Sequence, residues 1–440
     1  MTEISEEQVR RQRLASLAEK GIEAYPAQSF RTHTVRDVLA GFDGFHESHT
    51  RITIAGRALA IRQLGALSFL RIDDGTSVMQ AVIRKDDIGE DVYKLFADHA
   101  DVGDIFELSG EAFVTKTGER SVLAHRFVFL AKALRPLPEK WHGLQDVETR
   151  YRQRELDLIA NAEVKQRFIV RSRLVSSIRS FLDQSGFLEV ETPMLQPIPG
   201  GANARPFITH HNALGVDLYL RIAPELYLKR LVVGGFDKVY EIGRCFRNEG
   251  IDYAHNPEFT MLEMYWAYAD KDAYVSFMEA MLVDALTKAV ATTTITDSEG
   301  GELDFAAPWP RKTFREAILE ACNVDIDQFT DEASLVAASN AKGLAIDFSK
   351  CFGLGEHFDA LFKKTARPQL RGPIWIFDYP VSLKPLSRVN PNDPTKSASV
   401  QLVVQGAEII NAYYHELNDP TDQRHRFEEQ QALREKGSEE

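Results

Sequence analysis

Between residues 51 and 135 the chain abandons helical spacing for short β-branched and aromatic runs, and this stretch constrains the fold more than any other. The runs are Arg51-Ile52-Thr53-Ile54-Ala55, Leu67-Ser68-Phe69-Leu70-Arg71-Ile72, Val78-Met79-Gln80-Ala81-Val82-Ile83, Asp104-Ile105-Phe106-Glu107-Leu108 and Ser121-Val122-Leu123-Ala124. Turn signals part them at Asp73-Asp74-Gly75, Ser109-Gly110 and Thr117-Gly118, and a helical stretch from Asp87 to His99 sits between the third and fourth. Runs of this length and composition, bounded by Gly and Asp, predict strands.

Five strands with a helix after the third describe an oligonucleotide/oligosaccharide-binding (OB) barrel, with another small barrel as the alternative that pattern leaves open. Ahead of it, Val9, Leu14, Leu17 and Ile22 predict an amphipathic helix over residues 5–22, ended by Gly21. Behind it, Pro136-Leu137-Pro138 and the stretch to Asp146 read as a connector. Residues 151–180 then carry Arg152, Arg154, Lys165, Arg167, Arg171, Arg173 and Arg179 against only Glu155, Asp157 and Glu163, a basic segment that reads first as a solvated helix face. Helical spacing from Phe168 to Leu182 stops at Gly186, and the run Phe187-Leu188-Glu189-Val190-Glu191 is halted by Pro193. Strands and helices then mix without βαβ alternation, which predicts an antiparallel α+β domain. The expected division is an N-terminal helix in residues 1–30, the barrel in 31–135, the connector in 136–165 and a larger domain in 166–440.

With 440 residues, 44% of them apolar, the chain can fill more than one core. A net charge of −13 argues against a protein that coats nucleic acid non-specifically, though not against a local basic patch. Cys245, Cys322 and Cys351 are too few and too scattered for a disulfide framework or zinc knuckle and fit a reducing cytosol. The acidic start Met1-Thr2-Glu3-Ile4-Ser5-Glu6-Glu7 is no signal peptide, and no window approaches a membrane span. Neither a Walker loop nor a Gly-x-Gly-x-x-Gly fingerprint is present, so any nucleotide must be held another way.

Chemistry concentrates between Lys238 and Asp270. Val239 to Arg247 reads as a strand, Asn248 to Glu258 as a loop, and Phe259 to about Ala267 as a returning strand. Alternation puts Phe259, Met261, Glu263 and Tyr265 on one face, with Arg247 at the mouth of the pair. A buried, unpaired Glu263 would cost several kcal/mol, so it requires a cation, either a protein arginine or a ligand ammonium. Glu225 follows Pro224 at the start of a predicted helix, where an acidic residue is ordinary. Glu408 and Glu416, in an apolar strand context, are magnesium-ligand candidates or an ordinary polar face.

Gly186-Phe187-Leu188-Glu189-Val190-Glu191-Thr192-Pro193 resembles motif 1 of class II aminoacyl-tRNA synthetases. Phe246-Arg247-Asn248-Glu249-Gly250 with His255-Asn256-Pro257-Glu258-Phe259-Thr260 resembles motif 2. Lys132 to Pro138, Ile198 to Phe207 and Leu220 to Gly235 narrow the resemblance to the lysyl-tRNA synthetase family, nearly end to end. The resemblance implies an OB-fold anticodon-binding domain, then a catalytic domain with an antiparallel sheet flanked by helices. It implies a cytoplasmic homodimer joined through motif 1, off the membrane, that uses L-lysine, ATP, Mg²⁺ and tRNA(Lys). By matching position, Arg247 is the catalytic residue at the ATP α-phosphate and acyl carboxylate, Glu249 faces the adenine edge, Phe259 stacks on the ring, and His255 and Asn256 lie near the ATP. Glu225 and Glu263 grip the substrate ammonium, with Tyr265, Asn411 and Tyr413 lining the same pocket and Gly201 admitting the amino acid. Glu408 and Glu416 stand at magnesium positions, Glu408 also on the ATP side, and Arg62, Phe69 and Gln80 at the anticodon readers.

Three departures qualify the match. Gln401 stands where the family usually has a metal-facing glutamate, Ala407 replaces a usual arginine, and Tyr413-Tyr414-His415-Glu416 is one residue longer than usual. The sequence ends at Gly437-Ser438-Glu439-Glu440, ahead of the expected motif 3, so the expectation is a chain that binds lysine and tRNA but activates lysine poorly. A non-catalytic binder and a protein lysyl ligase are the competing readings; the latter's relatives lack the barrel.

Overall fold

The computed structural model describes residues 5–137, 144–252, 255–297, 299–384 and 386–435. Pro138 of the expected connector, Tyr253 and Ala254 of the expected loop, and the terminal Gly437-Ser438-Glu439-Glu440 lie outside the described residues. The chain divides into two compact units, Met1–Lys165 and Gln166–Glu440.

In the first unit, helix α1 (Glu6–Glu19) starts at a capping box in which Ser5 and Gln8 satisfy each other's backbone N–H. Two short helices, α2 (Val35–Ala40) and α3 (Phe42–Ser48), precede the barrel and were not expected. The five strands β1 (Ile52–Leu64), β2 (Leu67–Asp73), β3 (Val78–Arg84), β4 (Ile105–Val114) and β5 (Arg120–Ala131) close a barrel in the order β1-β2-β3-β5-β4. Only β3 and β5 run parallel. The helical stretch between the third and fourth strands is broken at Gly89 into α4 (Lys85–Ile88) and α5 (Glu90–His99). Period-two alternation turns Ile52, Ile54, Leu70, Ile72, Met79 and Ala81 inward, where Phe96 of α5 meets Phe106 and Phe127 at centroid distances of 5.7 and 5.3 Å. Each such ring removes about 2–3 kcal/mol worth of apolar surface from water. The short helices α6 (Val147–Arg152) and α7 (Arg154–Ala160) follow.

Helix α8 (Ala162–Gln184) crosses the division and begins six residues before the expected Phe168. In the second unit the expected strand Phe187–Glu191 shrinks to β6 (Leu188–Glu189), because Pro193 and the preceding turn leave few ladder partners. Then come β7 (Leu195–Gln196), β8 (Ile208–His211), β9 (Val216–Leu220), α9 (Glu225–Val233), β10 (Lys238–Phe246), β11 (Glu258–Trp266) and α10 (Lys271–Val290). A smaller segment holds β12 (Thr294–Thr296), β13 (Glu302–Asp304), β14 (Arg311–Thr313), α11 (Phe314–Cys322), α12 (Glu332–Ala341) and α13 (Gly353–Thr365). The chain finishes through β15 (Ile374–Phe377), β16 (Val389–Asn390), β17 (Asp393–Ser397), β18 (Ser399–Val404), β19 (Ala407–Tyr413) and α14 (Pro420–Glu435).

Among the described residues this unit has five sheets, of which β12-β13, β16-β17 and β7-β9-β8 are small and two frame the core. β10 and β11 form an antiparallel hairpin with β6 parallel on the other side of β10, and β14-β15-β18-β19 is antiparallel except at β14-β15. They share one core, in which Tyr240, Leu182 and Phe187 pack with Trp375, Val400 and Leu402 beneath Val275, Met278 and Met281 of α10. The predicted α+β architecture with an antiparallel sheet is therefore present, and its ladder fixes which side chains face together.

Candidate active site

The site is built on the β10–β11 hairpin. In its ladder Glu241 stands opposite Glu263 and Cys245 opposite Phe259, so Phe259, Glu263 and Tyr265 share the face predicted by alternation. Directly opposed like charges repel. Glu241 is compensated and Glu263 is not. Arg221, fully buried, donates from Nη1 to Glu241 Oε1, while Thr192 Oγ1 donates to Glu241 Oε2 at 2.6 Å. Arg221 Nε also donates to the Arg244 carbonyl at 2.7 Å. Gly243 makes room for this arginine, since a Cβ there would lie 2.1 Å from Arg221 Nη2.

Glu263 has no ion pair among the described residues and accepts one hydrogen bond, from the Tyr265 hydroxyl at 3.3 Å. Burial first, then the charge of Glu225, push its carboxyl up to about 7. The Tyr265 phenol is driven far upward by burial and by Glu263, Glu225 and Glu416. Burial likewise raises Tyr413, with Glu225, Glu416 and Glu408 adding to it. Glu225, Glu263, Glu416, Tyr265 and Tyr413 thus stand within electrostatic reach of one another in one half-buried acidic pocket, with Glu408 within reach of Tyr413.

Glu225 is the first residue of α9, directly after Pro224. Gly201 (φ +87°) lies against it; a Cβ there would sit 2.8 Å from Glu225 Cβ. The pocket holds one cation that sequence reading missed: Lys229 Nζ stands 2.7 Å from Glu225 Oε1 and 3.2 Å from Glu416 Oε2. Burial alone would lower this ammonium, but the two carboxylates outweigh it and raise it. Glu416 is nevertheless raised, because burial and Glu225 outweigh its half-share of one ammonium. The only signal for Lys229 was its place one helical turn after Glu225.

Glu416 was expected beside Glu408 as a magnesium ligand. Its carboxylate is ion-paired with Lys229 at 3.2 Å, which also holds Glu225. Beyond β19, the Tyr414 and His415 N–H groups both point at the Ala398 carbonyl, at 3.0 and 3.4 Å, so two residues oppose one in a local bulge. Glu408 is exposed on β19. Gln401 is buried and accepts from the Tyr379 hydroxyl at 2.6 Å, with Asn411 opposite it in the ladder and 3.4 Å from its amide. Asn411 also accepts from Lys384 at 3.2 Å. Among the described residues no group of three or more His, Cys, Asp or Glu side chains is arranged to hold a metal ion.

At the hairpin mouth the Arg247 guanidinium lies 5.1 Å from the Phe259 ring centroid, and its Nε is buried without a hydrogen-bond partner. The Arg247 N–H donates to the Pro257 carbonyl at 2.8 Å, which fixes the turn into the loop. Glu249 is exposed and accepts from the Arg205 N–H at 3.4 Å. His255 and Asn256 are exposed, and His255 Nδ1 lies 2.8 Å from Asp252. Phe259 and Glu263 are four positions apart, about 13 Å along the strand.

In the barrel, Arg62 and Phe69 are direct cross-strand partners, and Gln80 pairs with Arg71 two residues farther on the same face. Gln80 donates to Ser121 Oγ at 3.0 Å. Arg62 and Arg71 are exposed and Phe69 half-buried, so an aromatic plate lies between two cations. Arg71 was not singled out by sequence, though alternation from Phe69 selects it.

The matches to known proteins agree with this geometry. Residues 146–440 match the family described as tRNA synthetases class II (D, K and N), and residues 52–130 match the OB-fold nucleic acid binding domain. A lysine–tRNA ligase of Pelotomaculum thermopropionicum is 48% identical over 98% of this chain and 84% of its own length. One of Chloroflexus aurantiacus is 48% identical over 95% of the chain and 84% of its own length, and one of Enterococcus faecalis 44% identical over 98% and 87%. A hairpin of motif 2 type, an acidic pocket at its floor, a five-stranded barrel ahead of it and this identity along nearly the whole chain place it in one lineage: the chain belongs to the lysine–tRNA ligase family of class II tRNA synthetases.

Proposed function

We infer that the chain joins L-lysine to ATP, forming lysyl-adenylate and pyrophosphate, and then transfers the lysyl group to tRNA(Lys). The observation that carries this reading is Glu263: a half-buried carboxylate with no ion pair among the described residues, in the middle of a strand near whose start Phe259 lies under Arg247, which follows the paired strand. The interval of about 13 Å is one an extended lysine and a phosphoryl group would fill. In this reading Glu225 and Glu263 receive the substrate's ammonium, with Tyr265, Asn411 and Tyr413 around its stem and Gly201 over the amino acid.

The lysine carboxylate is already ionised, so one of its oxygens attacks the α-phosphorus without a general base. The bond from that phosphorus to the bridging oxygen breaks and pyrophosphate leaves. Alignment and charge neutralisation then supply the rate. Arg247 holds the carboxylate and the α-phosphate, Phe259 takes the adenine face, and Glu249, His255 and Asn256 border the nucleotide. Mg²⁺, when bound with ATP, would supply neutralisation of phosphate charge; Glu408, a single exposed carboxylate, would suit an ion that keeps most of its ligands as water and phosphate. Gln401, turned toward Tyr379, suits it less.

Arg62, Phe69, Gln80 and also Arg71 would read the anticodon, with Phe69 stacking on an unpaired base. Among the described residues no helix is long and apolar enough to cross a membrane, and a cytoplasmic place goes with the reading. Incubation with lysine, Mg²⁺, ATP and labelled pyrophosphate is expected to give lysine-dependent exchange into ATP. Exchange that is absent, or equally strong with ornithine, would overturn the activity.

A homodimer through motif 1 is part of the same proposal. Leu188, Met194, Leu195 and Ile198 are exposed at 45–74% along and just beyond that segment, more apolar surface than a monomer usually leaves in one stretch. Analytical ultracentrifugation is expected to give a dimer that Leu188→Asp with Leu195→Asp converts to monomer. A monomeric parent chain at micromolar concentration would refute it.

A further inference from the structure

The acidic pocket carries a cation that the mechanism above does not use. Lys229 lies on α9, four residues after Glu225, and its ammonium spans from Glu225 to Glu416 at 2.7 and 3.2 Å. An ordinary pair at this helical spacing contributes only a few tenths of a kcal/mol on an open surface. This one is different in two respects. It joins the start of α9 to the segment beyond β19, and it lies among groups argued above to receive the substrate. Its side chain is about one-third exposed (32%), and Glu225 less so (22%).

We propose that Lys229 is a positioning residue that sets the specificity of the amino-acid pocket: its ammonium ties Glu225 to Glu416, cancels one of their two charges, and holds Glu225 where it and Glu263 together receive the ammonium of the substrate's side chain. This rests on the reading of the pocket as the lysine site. Without Lys229, Glu225 and Glu416 repel one another, leave their present geometry, and offer an incoming ammonium displaced carboxylates beside Glu263. A chain one methylene shorter than lysine can reach such displaced carboxylates as readily as lysine can. Lys229 thus acts through the glutamates, without touching the reacting atoms.

Calorimetric titration of the full chain with L-lysine, L-ornithine and ATP tests this. Lys229→Met is expected to weaken lysine about 30-fold, with ornithine weakened far less and ATP affinity unchanged. Lys229→Arg, which can still bridge two carboxylates, is expected to restore lysine affinity to within a few-fold. Lys229→Gln, which keeps the stem and loses the charge, is expected to behave as Lys229→Met and serves if that variant does not fold. Equal losses for lysine and ATP, unchanged lysine affinity in both uncharged variants, or an Arg variant no better than the Met variant each overturn the proposal. A parent chain that binds ATP but not lysine overturns the reading of the pocket as well, so the two failures are distinguishable.

Discussion

Replacing Arg247 by alanine is expected to lower lysine-dependent ATP–pyrophosphate exchange by about 10²–10³-fold, with lysine affinity changed only a few-fold. The guanidinium is held over Phe259, and its Nε is buried with no partner in the free chain. A buried donor left open is costly and is retained where an incoming acceptor completes it. In the proposed reaction the acceptor would be the anionic oxygen that gains charge as the carboxylate attacks phosphorus, so the interaction would strengthen in the transition state. Arg247→Lys is expected to recover little, because an ammonium cannot reproduce a planar fork of donors shared between carboxylate and phosphate. Steady-state exchange with lysine and ATP varied separately checks this. A loss below tenfold would show that Arg247 does not meet the reacting groups, and one confined to the KM for lysine would show that it binds the carboxylate without stabilising the transition state.

The second large effect concerns Glu263, in both affinity and stability. Its carboxyl is pushed up to about 7 by burial and by Glu225, so near neutrality the free chain holds it partly protonated. A bound ammonium favours the ionised form. Lysine affinity is therefore expected to fall about tenfold from pH 8 to pH 6 and to level off above pH 8, as binding must first expel a proton. Glu263→Gln is expected to cost about 10²–10³-fold in lysine affinity and to flatten that profile.

The same substitution should stabilise the free chain, and the sign follows from linkage. A carboxyl raised in the folded state disfavours folding as pH rises from its unfolded value to its folded one. The cost is absent below about 4.5 and complete above about 7. Glu263→Gln removes it, so the gain at pH 8 approaches about 3 kcal/mol and vanishes at pH 4. Thermal unfolding at both pH values, beside lysine titrations at pH 6 and 8, measures both halves. A flat lysine profile in the parent chain, or equal stabilisation at pH 4 and pH 8, would contradict the assignment.

How far these features are legible in the sequence differs residue by residue. The barrel strands are legible because Ile52/Ile54 and Leu70/Ile72 alternate cleanly with polar neighbours. Helices α2 and α3 are not, because six or seven residues interrupted by Gly41 and Gly44 carry no usable period. That Glu263 needs a cation is legible from strand parity, since an acid on a core-facing row requires an explanation; that no described arginine or lysine pairs with it is seen only in the structure. Arg221 and Glu241 are opaque: they lie twenty residues apart and meet only because the ladder register and the missing side chain of Gly243 allow it. Lys229 looks like any helical partner of a glutamate until Glu416 arrives from a distant segment. For the same reason Glu416, in one dimension, has no mark that distinguishes a metal ligand from an ammonium partner.

The shared carbonyl of Ala398 has a consequence for how this pocket tolerates change in chain length. Side chains on an extended strand flip sides with each residue, so an odd insertion ought to turn Glu416 away from Asn411 and Tyr413. By letting Tyr414 and His415 occupy one rung between them, the backbone makes the odd insertion even, and the carboxylate returns to the side it would hold in a chain one residue shorter. One added residue at this corner is thus expected to leave the orientation of the glutamate unchanged.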